Sequence, residues 1–362
     1  MSHKKKIVVS VSSDLSTDQR VQKVCNTLAT NNFEVLVLGR QLPHSPKFGS
    51  LNYSHKRFRL WFNKGALFYA NLNVCLFFTL LFSKSNILYA NDLDTLLANY
   101  LVSKLRSKPL VYDSHEYFTQ VPELVNRPSV QRIWERIEKA ILPKLKHCIT
   151  VTEQIAKVYK KKYNTHFAVM RNFPLLQDQQ LEEKENFIVY QGALNVGRGL
   201  EELIAAMPFV NAKLWIAGAG DIEDQLRQKV QDSNLSDKVI FLGRLDPIEL
   251  RGYTQKAKLG MSIEHKMGLN YTYALPNKIF DYIHCETPVL YADLIEVKKV
   301  LHGAAIGEEL ESYESKVLAQ QINHMLESAN YKGWQQNCLK LRKELNWQQE
   351  EKVLFKMMDQ LE

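Results

Sequence analysis

Short apolar runs alternate with helical patterns along almost the whole chain, in two successive series. In the first, residues 7–11, 35–38, 87–89, 110–112 and 148–151 read as strands, with helical spacing over 18–30, 95–105 and 130–142 between them. Near Arg171-Asn-Phe-Pro174 the alternation pauses, and the polar stretch 177–185 reads as a linker. The second series places strands at 187–190, 213–217, 239–242, 259–263 and 288–291, and helices at 199–207, 222–231, 247–255 and 277–284. Strands this apolar must be covered on both faces, which requires a parallel sheet with helices on either side. The expected fold is therefore α/β, with two doubly wound Rossmann-like domains facing a cleft. Their expected spans are 1–172 and 173–345, and residues 346–362 of the helical tail are expected to return to the N-terminal domain. Ligands of such sheets sit beyond the carboxyl ends of the strands.

Charge divides along the same line. Residues 1–172 hold 26 Lys and Arg against 11 Asp and Glu, net +15, and the remainder holds 21 against 28, net −7, which together give the overall +8. A basic half attracts phosphates or an anionic leaflet. Its basic residues do not coincide with a nucleic-acid-binding module, so no nucleic acid partner is expected. Five scattered cysteines without a Cys-x-x-Cys pair argue against a disulfide framework or structural zinc and fit a reducing, cytoplasmic compartment. The lead-in Met1–Lys6 runs straight into a strand pattern, so no secretory signal is expected.

Six pieces fall in order at strand ends: Ser13-Asp-Leu-Ser-Thr-Asp-Gln-Arg20, Val111-Tyr-Asp-Ser-His-Glu116, Tyr190-Gln-Gly192, Ile216-Ala-Gly-Ala-Gly220, Phe241-Leu-Gly-Arg244 and Ala274-Leu-Pro-Asn-Lys-Ile-Phe-Asp-Tyr282. The series resembles the GT-B glycosyltransferases, and more narrowly the retaining family-four group that uses nucleotide sugars. The resemblance implies an acidic residue seven positions before Pro288 that accepts hydrogen bonds from the donor ribose, and Asp281 holds that place. An ionised carboxylate suits two vicinal hydroxyls because it only accepts. Asn277 and Lys278 would open the same helix, where unpaired N–H groups and a cation favour a diphosphate. The family's first acid would stand eight positions before Asp281, where this chain has Tyr273, so either Glu264 or the loop 268–272 is expected to substitute, or sugar recognition differs. The family's arginine after Gly192 is Ala193 here, and its lysine before Gly199 is Arg198, which leaves Arg198 and Lys278 as the expected clamp on the diphosphate. Gly192, Gly218, Gly220 and Arg244 complete the expected donor side. Gly218-Ala-Gly220 lacks the third glycine of a dinucleotide fingerprint, because Glu223 stands there.

On the N-terminal side, the resemblance implies that His115 touches the donor sugar and orients the acceptor. Asp14, Asp18, Arg20 and Asp92 are the remaining acceptor-side candidates, with a helix cap as the alternative role for Asp18. Asp92-Leu-Asp94 looks like a metal-binding pair, but the architecture is a metal-independent one, so neither metal nor cofactor is expected. The basic-aromatic segment 55–64 leads into the apolar stretch 65–82, expected as an interfacial or buried helix.

Together these features imply a retaining transferase. It would move a sugar from a nucleoside diphosphate to a glycan or lipid-linked saccharide, in cell-envelope polysaccharide synthesis, peripherally on the inner face of the membrane. A non-hydrolysing nucleotide-sugar epimerase and a catalytically silent nucleotide-sugar or glycan-binding protein share the same features.

Overall fold

The computed structural model describes residues 4–16, 18–43, 45, 50–178 and 182–361. Met1 to His3 of the lead-in, Thr17 of the first motif and residues 179–181 of the expected linker lie outside the described residues. The chain divides into two compact units. One holds the residues up to Asn172 together with those from Glu350 onward, and the other holds Phe173–Gln349.

The N-terminal unit is built on seven strands: β1 (Lys6–Asp14), β2 (Glu34–Arg40), β3 (Ser54–Phe58), β4 (Ile87–Asn91), β5 (Leu110–Ser114), β6 (His147–Thr150) and β7 (Ala168–Val169). All pair in parallel in the order β3-β2-β1-β4-β5-β6-β7. Every residue of β4 and β5 is buried, as a sheet covered on both faces demands. The strand order reverses between β1 and β4, so the connections leaving their carboxyl ends run in opposite directions and leave room for a site.

Two features of this unit depart from the sequence reading, and the apolar stretch agrees with it. The basic stretch expected as a lead-in to the apolar helix contains the parallel edge strand β3, whose side chains are exposed or half-buried. Pattern alone misses it because an edge strand need not be apolar. The helix expected from residue 95 begins at Asp92, directly after β4. The apolar stretch is a helix, Gly65–Leu81, that buries Phe68, Leu72, Leu76 and Leu80.

The second unit has six strands, β8 (Glu185–Gln191), β9 (Lys213–Ala217), β10 (Val239–Gly243), β11 (Ala257–Ser262), β12 (Val289–Tyr291) and β13 (Gly307–Glu309). They are parallel in the order β10-β9-β8-β11-β12-β13. Here the reversal lies between β8 and β11. One sheet face packs Ile188, Leu214 and Ile216 against Leu203, Leu226 and Ile322. The other packs Phe187 and Val189 against Ile279, Phe280, Tyr282 and Ile283 of the helix Asn277–His284. The sequence reading missed β13 and the helix Ile295–Leu301, and it took 268–272 for a loop where a short helix stands. The helical tail forms Ser315–Glu327, Tyr331–Leu341 and Trp347–Asp359. In the last of these, Glu350 accepts the Arg171 backbone N–H at 2.6 Å and Glu351 accepts the Thr27 hydroxyl at 2.9 Å, both within the N-terminal unit.

Candidate functional site

In the C-terminal unit the candidate residues gather at the strand-order reversal. The helix Asn277–His284 reaches the sheet because Gly260 on β11 has no side chain; a Cβ there would lie 2.6 Å from the Tyr282 ring. The Tyr282 hydroxyl then bridges the two diverging strands. It accepts from the Gln191 N–H at 3.3 Å and sits 3.2 Å from the Val189 carbonyl and 3.3 Å from that of Met261. Tyr282 thus fixes the start of the helix over the ends of β8 and β11. Pro276 at that start provides no side-chain cap, so the first N–H groups keep their capacity for an anion.

Lys278 is 8% exposed and Glu264 only 2%. Their ion pair spans 2.8 Å, off the line of a hydrogen bond, and the Ser262 hydroxyl donates to the other carboxylate oxygen at 2.9 Å. Burial pushes the Glu264 carboxyl up, but Lys278 outweighs it and holds the group below its ordinary value. The ammonium also lies 3.9 Å from the centre of the Tyr190 ring, a cation–π contact that a buried lysine gains where water is scarce. Gly192, with φ 132°, runs past it: a Cβ there would stand 3.7 Å from Nζ.

Asp281, one turn along, accepts from Gln191 Nε2 at 2.7 Å, and Gln191 in turn accepts from Thr254 at 2.8 Å. Arg198 stacks on Tyr271, its guanidinium carbon 4.7 Å from the ring centre, and its buried Nε has no hydrogen-bond partner among the described residues. Its charge helps lower Glu264. Glu202, four positions on from Arg198, is held by His265 at 2.9 Å.

The glycines of this region answer to backbone packing. A Cβ on Gly218 would enter the Gly192 carbonyl, and one on Gly220 the Leu194 carbonyl, so both keep the 192–195 loop seated. Asn277 is exposed at the helix start, Tyr273 follows the helix Gly268–Thr272, and Arg244 is exposed after β10.

In the N-terminal unit His115 follows β5 and sits among carboxylates. Its Nδ1 is 3.3 Å from Asp92 Oδ2, its Nε2 is 3.5 Å from Asp113 Oδ2 and 3.1 Å from Asn91 Oδ1, and its backbone N–H donates to Asp92 Oδ1 at 2.8 Å. Burial pulls the imidazole pKa down, but Asp92 and Asp113 outweigh it and raise it to about 9. His115 is therefore an imidazolium at neutral pH, a donor only. Asp92 has φ 57°, a left-handed conformation held by this pairing.

Arg20 is buried and bidentate on Asp113, at 2.7 and 3.2 Å, and donates to the Met170 carbonyl at 2.9 Å. It reaches the His115 cluster through Asp113 and does not stand at the surface. Asp18 caps the helix Gln19–Thr30, accepting from Val21 N at 3.1 Å and from the Ser13 hydroxyl at 2.7 Å. Asp14 accepts from Ser16 N–H and hydroxyl at 3.1 and 2.7 Å and from the Ser45 hydroxyl. Asp94 is buried, and burial raises it to about 7. Among the described residues no group of three or more His, Cys, Asp and Glu is arranged to hold a metal ion.

Sequence reasoning passed over Tyr190, Gln191, Ser262 and Tyr282 as individual site residues, and over Tyr89, whose hydroxyl donates to Asp113 at 2.8 Å. Tyr190, Gln191 and Tyr282 lay inside quoted motifs; nothing local to Ser262 or Tyr89 announces their role.

Comparison with known proteins follows the same division. Residues 18–173 match the family described as Glycosyltransferase Family 4, and 173–344 match Glycosyl transferases group 1. An uncharacterised glycosyltransferase of Methanocaldococcus jannaschii is 40% identical over 67 residues, which span 17% of this chain and 17% of that protein. The fold is similar to that of sucrose-phosphate synthase from Thermosynechococcus elongatus, with a TM-score of 0.78 at 17% identity over 99% of both chains. It is also similar to that of Anabaena HepE in complex with UDP and glucose, with a TM-score of 0.73 at 16% identity over 98% of this chain and 100% of that one. Both halves of the chain match, each with its own parallel sheet and strand-order reversal, and the chain belongs to the group 1 glycosyltransferases of the GT-B fold.

Proposed function

We propose that this chain is a retaining, metal-independent glycosyltransferase that takes its sugar from a nucleoside diphosphate. The observation that carries the reading is the buried Lys278–Glu264 pair beside the uncapped start of the helix Asn277–His284. A cation and a set of open N–H groups suit a diphosphate, and a buried carboxylate suits sugar hydroxyls. The UDP and glucose held by the Anabaena protein of similar fold support the same ligand class.

Lys278 turns from Glu264 towards the diphosphate, and Arg198 supplies the second charge with its unpartnered Nε. Asp281, tethered by Gln191, accepts from the ribose. Glu264, no longer paired, accepts from the sugar and takes the part of the acid that Tyr273 replaces. Negative charge grows on the diphosphate as its bond to the anomeric carbon breaks, so Lys278 and Arg198 hold the transition state more tightly than the ground state. The acceptor oxygen bonds to the same face of the sugar, and its proton passes to the departing diphosphate oxygen. In the N-terminal unit the imidazolium of His115, oriented by Asp92 and Asp113, donates to a hydroxyl of the acceptor. The acceptor is a lipid-linked saccharide or another membrane-surface glycan of the cell envelope, a reading supported by the net +15 of residues 1–172.

The test is thermal stability against UDP, GDP, ADP and TDP and their sugars. A ligand at about a hundredfold its Kd stabilises by about 2.7 kcal/mol. One nucleotide is expected to stabilise selectively, and Asp281→Asn and Lys278→Met to abolish the effect. A folded protein unmoved by every nucleotide overturns the reading. Product anomeric configuration by NMR and turnover in excess EDTA test retention and metal independence.

A further inference from the structure

Between Glu34 and Asp92 the sequence has no acidic residue, yet it carries seven lysines and arginines. The helix Gly65–Leu81 lies within this stretch and has no charged side chain. Its inward face carries Phe68, Leu72, Leu76 and Leu80, one residue per turn. The opposite face should be polar, but Leu67, Val74 and Phe78 stand exposed there. Trp61 before the helix is 88% exposed and Phe82 after it 80%.

The helix Asp92–Arg106 runs beside it. Asn73 joins the two, donating to the Asp94 carbonyl at 2.7 Å and accepting from Ala98 N–H at 3.2 Å, and Arg106 donates to the Leu80 carbonyl at 2.9 Å. These ties set the two helices level from end to end. The second helix exposes a stripe of its own, Leu97, Leu101 and Leu105, at a spacing of four. Two apolar stripes side by side form a continuous surface that soluble proteins seldom leave uncovered.

We propose that this two-helix face lies on an anionic lipid leaflet. Exposed Arg59, Lys64, Lys84 and Lys104 border it, and basic borders around aromatic and aliphatic side chains are what the headgroup boundary of such a leaflet accepts. Among the described residues no helix is long and apolar enough to cross a membrane, so the face lies on the surface. A second copy of the chain is a poorer occupant, because pairing like with like would bring the basic borders together. The proposal deepens the membrane-surface reading of the acceptor and rests on it for its purpose.

The experiment is co-sedimentation of the full chain with phosphatidylcholine vesicles, with and without about one third phosphatidylglycerol. Binding is expected to the anionic vesicles, with loss in high salt. Phe78→Ser/Phe82→Ser and, separately, Lys64→Glu/Lys84→Glu are expected to weaken it by at least about tenfold. Each changes exposed side chains only, and an unaltered melting temperature with unaltered nucleotide stabilisation shows that fold and donor site survive. Equal binding by the variants, no binding by the unaltered chain, or a dimer that Phe78→Ser/Phe82→Ser dissociates in the absence of vesicle binding each overturns the proposal. Nucleotide stabilisation measured on the same samples keeps its failure distinct from failure of the transferase reading.

Discussion

Replacing Lys278 with methionine removes the ammonium from a site that is 8% exposed and leaves Glu264, 2% exposed, without its cation. Breaking a buried pair from one side costs about 3–5 kcal/mol, because the remaining charge is neither hydrated nor matched. Methionine keeps the apolar contact with Tyr190, which places the expected loss at the lower end, about 3 kcal/mol. Glu264→Gln leaves the ammonium on the Tyr190 face and costs about 2 kcal/mol. The double variant loses both charges at nearly constant volume and should lie within about 1 kcal/mol of the unaltered chain. The implied coupling is about 4 kcal/mol.

The assay is urea denaturation of the full chain, followed by tryptophan emission, to which Trp215, Trp334 and Trp347 of the C-terminal unit contribute. The penalty must also depend on pH. With Lys278 gone, only Arg198 and the Ser262 hydroxyl oppose burial and the Glu264 pKa rises, so ionising it in the folded state costs more as pH rises, and Lys278→Met should be less damaging at about pH 5 than at about pH 8. Single losses that simply add, or a penalty independent of pH, would refute the reasoning. Nucleotide stabilisation should stay absent from the double variant even where its stability returns, which separates the ligand role of Lys278 from its structural one.

The His115 pKa, raised to about 9 from an ordinary 6.5, stabilises the fold fully below about pH 6.5 and loses that contribution as pH rises through about 9. Stability should therefore fall between about pH 7 and 10, and His115→Gln should flatten the fall while costing about 2–3 kcal/mol at pH 7 in the same urea assay. Arg20→Met strands the buried Asp113 carboxylate and should cost about 3–5 kcal/mol; Arg20→Lys should recover only part, because one ammonium cannot reproduce the two-point contact. Gly218→Ala drives a Cβ into the Gly192 carbonyl and should cost upwards of about 3 kcal/mol with loss of nucleotide stabilisation, whereas Gly243→Ala, with φ 68° and open space around it, should cost only about 1 kcal/mol.

The two-sheet architecture was legible because its central strands are apolar on both faces, and runs such as Ile87–Asn91 admit few other roles. The edges were not. β3 reads Ser-His-Lys-Arg-Phe, and β7 and β13 are two and three residues long, so neither hydrophobicity nor period marks them. Asp281, Lys278 and His115 could be found as candidates because each sits in a local motif at a strand or helix end. What holds them could not be found so. Gln191 and Asp281 are 90 positions apart, and Arg20 and Asp113 are 93; only the parallel pairing of distant strands brings them together.

The same limit bears on Tyr273. A spacing rule looks for the missing acid eight positions before Asp281, just past the helix Gly268–Thr272, and finds a phenol. The structure puts a buried carboxylate beside Lys278 by another route: β11 ends at Ser262, and Glu264 turns inward two residues later, where it meets Lys278 and the Ser262 hydroxyl. In our proposal the acid stands just past a strand end instead of at position 273, and this carries a consequence. A carboxylate paired with the diphosphate-binding lysine can be released to the sugar only when the diphosphate takes that lysine. Donor binding then unmasks the sugar contact, and nucleoside diphosphates should bind Glu264→Gln at least as tightly as the unaltered chain, while the intact nucleotide sugar binds it more weakly. A parallel loss for both ligands would instead make Glu264 a support for Lys278 alone.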